Sequence, residues 1–577
     1  MPARNRLVRL ALSLALSMLA ATALVGCATE IAVQEPSTVA NAKECGGGDC
    51  HDVEVEGQAA GPHAQAACTA CHQGTGEAHA KKPASVRATT DWRIDSCKEC
   101  HAEEVATYLY DDNAQAGPFG GSTRIPPQPK VDTFPKYNTI VAGSPFAKDY
   151  NEEGAHSVML EDHYATTRGK FDTCVQCKST KVAKAFGTGK PIYVASDTTV
   201  TLTHTASGTV PAKKVFIPEG TKLTYATDKV TRHVDSKAVF PDGTTYTSTP
   251  KASDDATKSY NMMWAATIAA IKETMPYGAS CSHCHDPHTT KLAYVRQAMI
   301  ESIEGTGGVK ETGGVNPYIK GSPKKISDAS LKDQRILTCT QCHVEYTCGK
   351  SAVDGVERDA FGWAKAKDLD ELYTKQFGYT QDWKHKIIEQ PLIKSQHPET
   401  ELYWESVHYD AGATCSDCHM PQVKSASGRV FRSHWFTSPY KYQDAKYFKP
   451  FADKTGLNSA YAEKPCASCH SDRQAAGIAQ QEAFYARQKV VQDLLAVSVA
   501  ELGRDASVKK AGGKLDTTSY DAAVASHRKA HVLWENLAVS ENSMGFHNFD
   551  EVMESMDVAE KEVRNAITQA KAARGGK

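Results

Sequence analysis

The 577-residue chain has little net charge, few hydrophobic residues for its length and, after residue 27, no long apolar run. Its formal net charge is −2 at pH 7, and because lysines and acids are interspersed, there is no basic footprint for nucleic acid. No segment after residue 27 is long and apolar enough to predict a membrane-spanning helix. Only 41% of the residues are hydrophobic, which predicts that bound groups supply part of the core.

Cysteine follows a pattern: 16 of the 18 cysteines form eight pairs, each followed directly by a basic residue. Chance would give on the order of 0.02 C-x-x-C-H motifs, yet the chain has six. A seventh motif is stretched to C-x4-C-H, and the eighth is C-x-x-C-K. The motifs are Cys45/Cys50/His51, Cys68/Cys71/His72, Cys97/Cys100/His101, Cys174/Cys177/Lys178, Cys281/Cys284/His285, Cys339/Cys342/His343, Cys415/Cys418/His419 and Cys466/Cys469/His470.

In C-x-x-C-H, both thiols bond to the vinyl groups of a haem and the adjacent histidine ligates the iron. A zinc site would take four ligands from two cysteine pairs without requiring a histidine after nearly every pair. A disulfide framework would not explain the histidines either. The sequence therefore predicts eight covalent haems c and a mainly α fold with extensive loops, in which buried haems fill the core.

The lysine motif differs chemically from the rest. A haem with two histidine ligands is coordinatively saturated and passes electrons, whereas a catalytic haem keeps one axial position open. Lys178 can supply the proximal ligand of such an open haem. The alternative is an eighth electron-transfer haem whose histidine was replaced without functional consequence.

The N-terminus has the pattern of an export signal. Three arginines precede an apolar run from Leu10 to Val25, which is too short for a permanent span. The segment Leu24–Cys27 resembles the lipobox of bacterial lipoproteins and predicts lipidation of Cys27; the alternative is cleavage at Ala21–Ala23 and a soluble periplasmic product. Ala28, rather than Asp, follows Cys27, and by that resemblance favours the outer membrane.

Composition and periodicity divide the chain into six predicted regions. Alternation at Thr199–Thr203 and Lys222–Tyr225 predicts a small β insertion, and apolar stripes from Phe484 to Leu502 and from Phe549 to Ile567 predict long C-terminal helices that could form a dimer seam. The regions are a signal peptide (1–27), a loop-built haem lobe (28–95), a segment with the lysine motif (96–190), the β-rich insertion (191–258), a multihaem core (259–470) and a helical region (471–577).

Four segments carry a family resemblance: Ala142–Asn151, Cys339–Tyr346, Lys394–Glu399 and Cys415–Pro421. In this order, and with C-x-x-C-K, the chain from roughly residue 140 onward resembles the cytochrome c nitrite reductases, which reduce nitrite to ammonium. Three motifs upstream of the lysine motif make it similar to the octahaem branch rather than to the usual pentahaem members.

The resemblance implies a distal pocket of Arg168, Tyr346 and His397 over the haem of Lys178, with Arg124 as a weaker substitute for Arg168. An arginine would hold the nitrite anion, while the tyrosine and histidine would donate protons. Cys348 either forms a thioether to Tyr346 or is an idle thiol.

The resemblance also implies a calcium site and distal haem ligands. Calcium would be held by the side chains of Glu345 and Gln396 and by the carbonyls of Tyr346 and Lys394. The expected distal ligands are His156, His408, His434 and His547, with His63 and His79 as guesses for the N-terminal haems.

Two other functions remain open at this point. One is an octahaem enzyme that acts on hydroxylamine, sulfite or tetrathionate, and the other is a non-catalytic electron conduit. The nitrite reductase hypothesis implies a quinol dehydrogenase or a cytochrome c as electron donor, on the periplasmic side of a membrane.

Overall fold

The computed structural model describes 51–72, 76–82, 90–110, 135–144, 156, 159–160, 175–205, 208–227, 234–248, 256–275, 277–304, 325–347, 352–353, 356–357, 361–396, 398–467, 469–471, 474–540 and 543–575. These residues form a helix-rich structure with small sheets, which confirms the predicted fold class at that level. None of the helices in this part of the chain is long and apolar enough to cross a membrane.

The chain divides into two compact units. The smaller contains the described residues up to Asp91 together with His285–Lys291, and the larger contains Trp92–Cys284 and the rest from Leu292. In the smaller unit lie the short helices Asp52–Ala59, Cys68–Cys71 and Gly76–Lys81. The loop-built lobe predicted for 28–95 therefore includes helical turns, which are too short to produce a periodic apolar pattern.

The β insertion of the larger unit contains two antiparallel sheets. Strands Thr198–Thr205 and Gly208–Ile217 pair as a hairpin. Strands Ile192–Tyr193, Lys222–Thr227, Val234–Val239 and Thr245–Thr247 form a four-stranded sheet in that order. Val200 and Leu202 are buried while the residues on either side of Leu202's neighbour Thr201 alternate with it, as the pattern predicted. These strands pack against the helix Ala256–Ile271, whose Trp264 is buried in the same cluster.

Three long helices form the C-terminal region: Gln474–Lys510, Thr517–Trp534 and Phe549–Ala573, with a π-helical turn at Glu535–Ser540. The two predicted stripes meet in one core, where Val491 and Leu495 pack with Met556 and Val563. The middle helix was not predicted, and it contributes the fully buried Trp534 to that core.

Shorter elements position the remaining motifs. The other α-helices are Asp95–Lys98, Ala102–Tyr108, Tyr137–Ile140, Thr180–Thr188, Gln297–Glu304, Leu331–Thr340, Leu369–Glu371, Glu399–Tyr403, Val407–Asp410, Cys415–His419, Pro439–Gln443 and Ala445–Thr455. The 3₁₀ turns are Lys272–Thr274, Cys281–His283, Ile326–Asp328 and Ala366–Asp368, and Leu372–Gln376 is π-helical. Strand pairs are Ala352–Val353 with Val356–Glu357, and Trp383–Lys384 with Pro391–Leu392; Gln422–Ser425 pairs with both Val430–Arg432 and Leu457–Ala462.

Candidate functional site

Four pairs of histidine rings are spaced as the ligands of one iron would be. An iron bonded to two imidazole nitrogens at about 2 Å places the ring centres roughly 6.3 Å apart. Each observed pair joins a motif histidine to one outside the motifs. The centroid distances are 6.1 Å for His51–His79, 6.1 Å for His156–His343, 6.3 Å for His408–His470 and 6.2 Å for His419–His547. The residues therefore fit bis-histidine haems.

The surroundings of these rings favour the neutral, ligating form. Burial, reinforced by His343 and Lys178, lowers the pKa of His156 to about 3, and burial lowers the pKa of His419 to about 4. The Nδ1 of His419 lies 2.9 Å from the carbonyl oxygen of Thr437. Such a contact orients an imidazole so that Nε2 remains for the metal.

Three residues of the N-terminal motifs depart from the prediction that haem-binding side chains lie buried in the core. Cys100 and His101 are exposed, and His72 is only half-buried, with its Nδ1 3.2 Å from the Thr90 hydroxyl. The physical reason is local, because the helix Asp95–Lys98 that carries the Cys97 motif has no buried residue of its own. The expectation of burial is wrong at these three positions, and haem binding by Cys100, His101 and His72 stays a prediction.

The other predicted distal ligands have different described contacts. His434 lies 3.1 Å through Nδ1 from the carbonyl of Arg432 and its ring is 5.6 Å from that of Phe436. His63 lies 2.7 Å through Nδ1 from the carbonyl of Pro287. The structure thus pairs His79, His156, His408 and His547 with motif histidines, while ligation by His434 and His63 stays a prediction.

The lysine motif and the Cys339 motif lie against each other. Cys177 Sγ is 3.8 Å from the carbonyl of Gln341, and Cys342 Sγ is 3.9 Å from the carbonyl of Cys177. Cysteines within the described ranges, from Cys68 to Cys469, are free thiols rather than disulfides. Their chemistry fits thioether bonds to haem, and the motifs of Lys178 and His343 are adjacent.

Lys178 is fixed by close backbone packing. Gly278 has φ of 76°, and a Cβ there would overlap the carbonyl oxygen of Lys178. Thr180 donates its backbone N–H to the carbonyl of Gly278 at 3.1 Å, and its hydroxyl accepts from Ser280 N at 2.8 Å. The lysine motif is therefore held against the segment that enters the Cys281 motif.

Of the predicted distal pocket, the structure describes Tyr346. Arg168, Arg124, His397, Cys348 and the motif residue Cys174 lie outside the described residues, as do Cys27, Cys45 and Cys50. Tyr346 is 7% exposed, and the guanidinium carbon of Arg296 lies 4.3 Å from the centroid of its ring. Arg296 was not predicted, because a single arginine ahead of a short helix has no distinguishing pattern.

All four predicted calcium ligands come together. The Glu345 carboxylate accepts from the Tyr373 hydroxyl and, at 2.7 Å, from Gln396 N. The Tyr373 hydroxyl also faces the carbonyl of Tyr346 at 3.4 Å, and Lys394 Nζ donates to Gln396 Oε1 at 3.2 Å. Tyr373 bridges two of the predicted ligands, yet it was not predicted, since no motif surrounds it.

The electrostatics of this cluster suit a bound cation. Burial raises the pKa values of Glu345 and Glu535 to about 8, and it raises that of Glu401 well above its ordinary value. A hard divalent ion would stabilise the ionised carboxylates. Within the described residues no three His, Cys, Asp or Glu side chains converge as metal ligands, so a calcium ion would also need the amide and carbonyl oxygens of the predicted set.

Asp382, also not predicted, orients the backbone of this cluster. Its Oδ2 accepts from Lys394 N at 2.7 Å, and its Oδ1 accepts from the Tyr379 hydroxyl. No spacing in the sequence marked Asp382, since it meets Lys394 through a tertiary turn.

Comparisons with known proteins agree with this site. The chain is 26% identical over 365 residues, 59% of its length, to the cytochrome c nitrite reductase subunit NrfA of Nitratidesulfovibrio vulgaris. It is 30% identical over 314 residues, 52% of its length, to a cytochrome c-552 of Bacteroides thetaiotaomicron. It covers 62% and 58% of these two relatives, which is less than two thirds of either.

The fold also has a solved counterpart, the cytochrome c nitrite reductase NrfA of Desulfovibrio desulfuricans, whose structure is described as having two calcium sites. The TM-score is 0.56 at 18% identity, and the match covers 84% of this chain and 87% of the other. The family model named cytochrome c552 matches residues 243–576, more than half of the sequence. The chain therefore belongs to the cytochrome c552 family.

Proposed function

We propose that this protein reduces nitrite to ammonium at the haem attached by the Lys178 motif. The observation that carries the proposal is the position of Tyr346. It follows the Cys339–His343 motif, which contacts the lysine motif, and it is buried beneath Arg296. A proton donor and a fixed cation thus lie beside the motif that departs from histidine ligation.

The haems would carry electrons, and the lysine-ligated one would offer an open coordination position for nitrite. Nitrite takes up six electrons and eight protons to give ammonium and two waters. Arg168 would hold the anion, while Tyr346 and His397 would donate protons to the departing oxygens. Glu345 and Gln396, with the carbonyls of Tyr346 and Lys394, would hold calcium and so fix the backbone that carries Tyr346.

The relatives support the same activity, since one is named as a nitrite reductase subunit. The full assembly follows from the sequence predictions. It comprises eight haems c, a calcium ion, a lipid anchor at Cys27 in the outer membrane, and a homo-oligomer formed by the C-terminal helices. Electrons would come from a quinol dehydrogenase or a cytochrome c of the periplasm.

The test is anaerobic turnover with reduced viologen, with nitrite, hydroxylamine, sulfite and tetrathionate supplied separately and ammonium quantified. We expect nitrite to oxidise viologen and to yield one ammonium per nitrite. Turnover of sulfite or tetrathionate without nitrite turnover would replace the proposal with the corresponding octahaem activity. No turnover of any of the four would indicate an electron conduit.

A further inference from the structure

We propose that Arg296 is a positioning residue for the phenol of Tyr346, a role that rests on the proposed nitrite reduction. Its guanidinium carbon lies 4.3 Å from the Tyr346 ring centroid and 4.8 Å from that of Phe361. The two rings are 5.9 Å apart and inclined by 37°. One cation therefore contacts two aromatic rings at distances within the range of cation–π attraction.

Arg296 is anchored to the haem motif that precedes Tyr346. Its Nη1 donates to the carbonyl of Gln341 at 2.8 Å, and the Gln341 side-chain oxygen accepts from Val295 N at 2.5 Å and from Arg296 N at 3.3 Å. Gln341 is fully buried, and its Nε2 donates to the carbonyl of Thr338 at 3.1 Å. The cation and the phenol are thus referenced to the same short segment.

The far side of the aromatic layer is equally constrained. Phe361 stacks on Trp363 at 5.8 Å and 19°, and Trp363 Nε1 donates to Ser302 Oγ at 3.0 Å. Ser302 lies on the helix Gln297–Glu304, which begins directly after Arg296. Gly362 allows this layer to close, because a Cβ there would overlap the side chain of Leu372. Arg296 and Ser302 therefore hold the layer from one short stretch of chain.

This arrangement suits a proton-donating phenol. Proton transfer requires the hydroxyl to stay within hydrogen-bond distance of the reacting oxygen, and a misplacement of about 1 Å can cost about 10²-fold in rate. A cation on the ring face fixes the ring without occupying the hydroxyl. Arginine suits this better than lysine, because the planar guanidinium stacks on rings and also donates to the Gln341 carbonyl.

The experiment compares Arg296→Gln and Arg296→Lys with the control Ser302→Ala, which removes a buried hydrogen bond in the same layer but keeps the cation. For Arg296→Gln we expect kcat for nitrite to fall on the order of 10- to 100-fold. The KM and the nitrite affinity of the oxidised protein, measured by optical titration, should change less than about 2-fold. Arg296→Lys should recover part of kcat, and Ser302→Ala should retain most of it.

A double-mutant cycle identifies the route of the effect. In a Tyr346→Phe background the hydroxyl is absent, so Arg296→Gln should lower kcat no further. An equal loss in both backgrounds, or a loss mainly in nitrite affinity, would overturn the positioning role. If Arg296→Gln loads haem poorly, Arg296→Lys carries the same cycle. An unmodified protein that reduces neither nitrite nor hydroxylamine would overturn the proposed function and this role with it, whereas an active protein with additive variants would overturn this role alone.

Discussion

Glu345 and Tyr346 are neighbours in the chain but serve the site through different atoms. The Glu345 carboxylate faces Tyr373 and Gln396, while the Tyr346 carbonyl faces the same Tyr373 hydroxyl and its ring turns toward Arg296. Consecutive side chains of an extended segment point in opposite directions, so one short stretch can line both a cation site and a substrate pocket.

Removing the proton donors tests the pocket. Tyr346→Phe and His397→Ala should each lower nitrite turnover on the order of 10²- to 10⁴-fold, the range for general acid–base groups. Arg168→Ala should chiefly weaken nitrite binding. Because hydroxylamine is neutral near pH 7, its reduction should depend less on Arg168. Steady-state rates on both substrates measure this, and full nitrite activity in both proton-donor variants would show that the pocket is misplaced.

The buried carboxylates predict how stability depends on pH. Burial raises the pKa of Glu535 to about 8 from an ordinary 4.5. Between these values the folded state binds more protons than the unfolded state, so this group's contribution to the unfolding free energy falls as pH rises. Chelator-treated Glu535→Gln should therefore gain stability relative to the unmodified protein as the pH is raised through this interval. Denaturation at several pH values measures the difference, and a difference that shrinks with pH would contradict it.

At the scale of elements, two glycines near the lysine motif have different tasks. Gly189 ends the helix Thr180–Thr188 with φ of 65°, and among the described residues no heavy atom lies within 4 Å of the position that a Cβ would take. Gly278 also has positive φ, but a Cβ there would overlap the Lys178 carbonyl. The first position needs only the left-handed backbone, whereas the second also needs the missing side chain.

Alanine substitution should separate these two tasks. Gly189→Ala should cost only about 1–2 kcal/mol, the strain of a left-handed alanine. Gly278→Ala should cost more, because the clash must displace the Lys178 segment, and it should also alter the high-spin spectrum expected of the open haem. Unfolding free energies and optical spectra of both variants provide the measurement. Equal costs with unchanged spectra would show that Gly278 does not position the lysine.

At the scale of the whole molecule, segments distant in sequence build the site. The Lys178 motif meets the Cys339 motif through the contacts of Cys177 with Gln341 and Cys342. His156 faces His343 across a long stretch of chain. Motifs packed this closely would place successive haems near one another, as electron delivery to a single reacting haem requires.

Haem content tests the molecule as a unit. We expect intact-mass measurement of the mature protein to give eight covalent haems, one for each motif. The stretched Cys45/Cys50/His51 motif is included because His51 and His79 have iron-ligand spacing of 6.1 Å. A His79→Ala variant should keep all eight haems and change only the ligation of one, since thioether bonds do not depend on the distal histidine. Seven haems in the unmodified protein would exclude attachment at the stretched motif.

Local patterns in the chain were enough to specify several features. Haem motifs are recognised by spacing within a few residues, the β insertion by alternation, and the outer C-terminal helices by apolar residues on one helical face. The middle helix Thr517–Trp534 was missed because it is buried on several sides, which leaves no simple stripe. Spacing also carries no information on depth, and so it did not predict that Cys100 and His101 are exposed.

Which distant residues meet was settled by packing in three dimensions. The fold paired His51 with His79 and His408 with His470, and it placed Arg296 on the ring of Tyr346. These contacts join segments that come together when the chain packs, and their energies depend on burial and on the shapes of both partners. A one-dimensional pattern specifies the chemistry that each residue can perform, whereas the partner on which it acts depends on the folded chain.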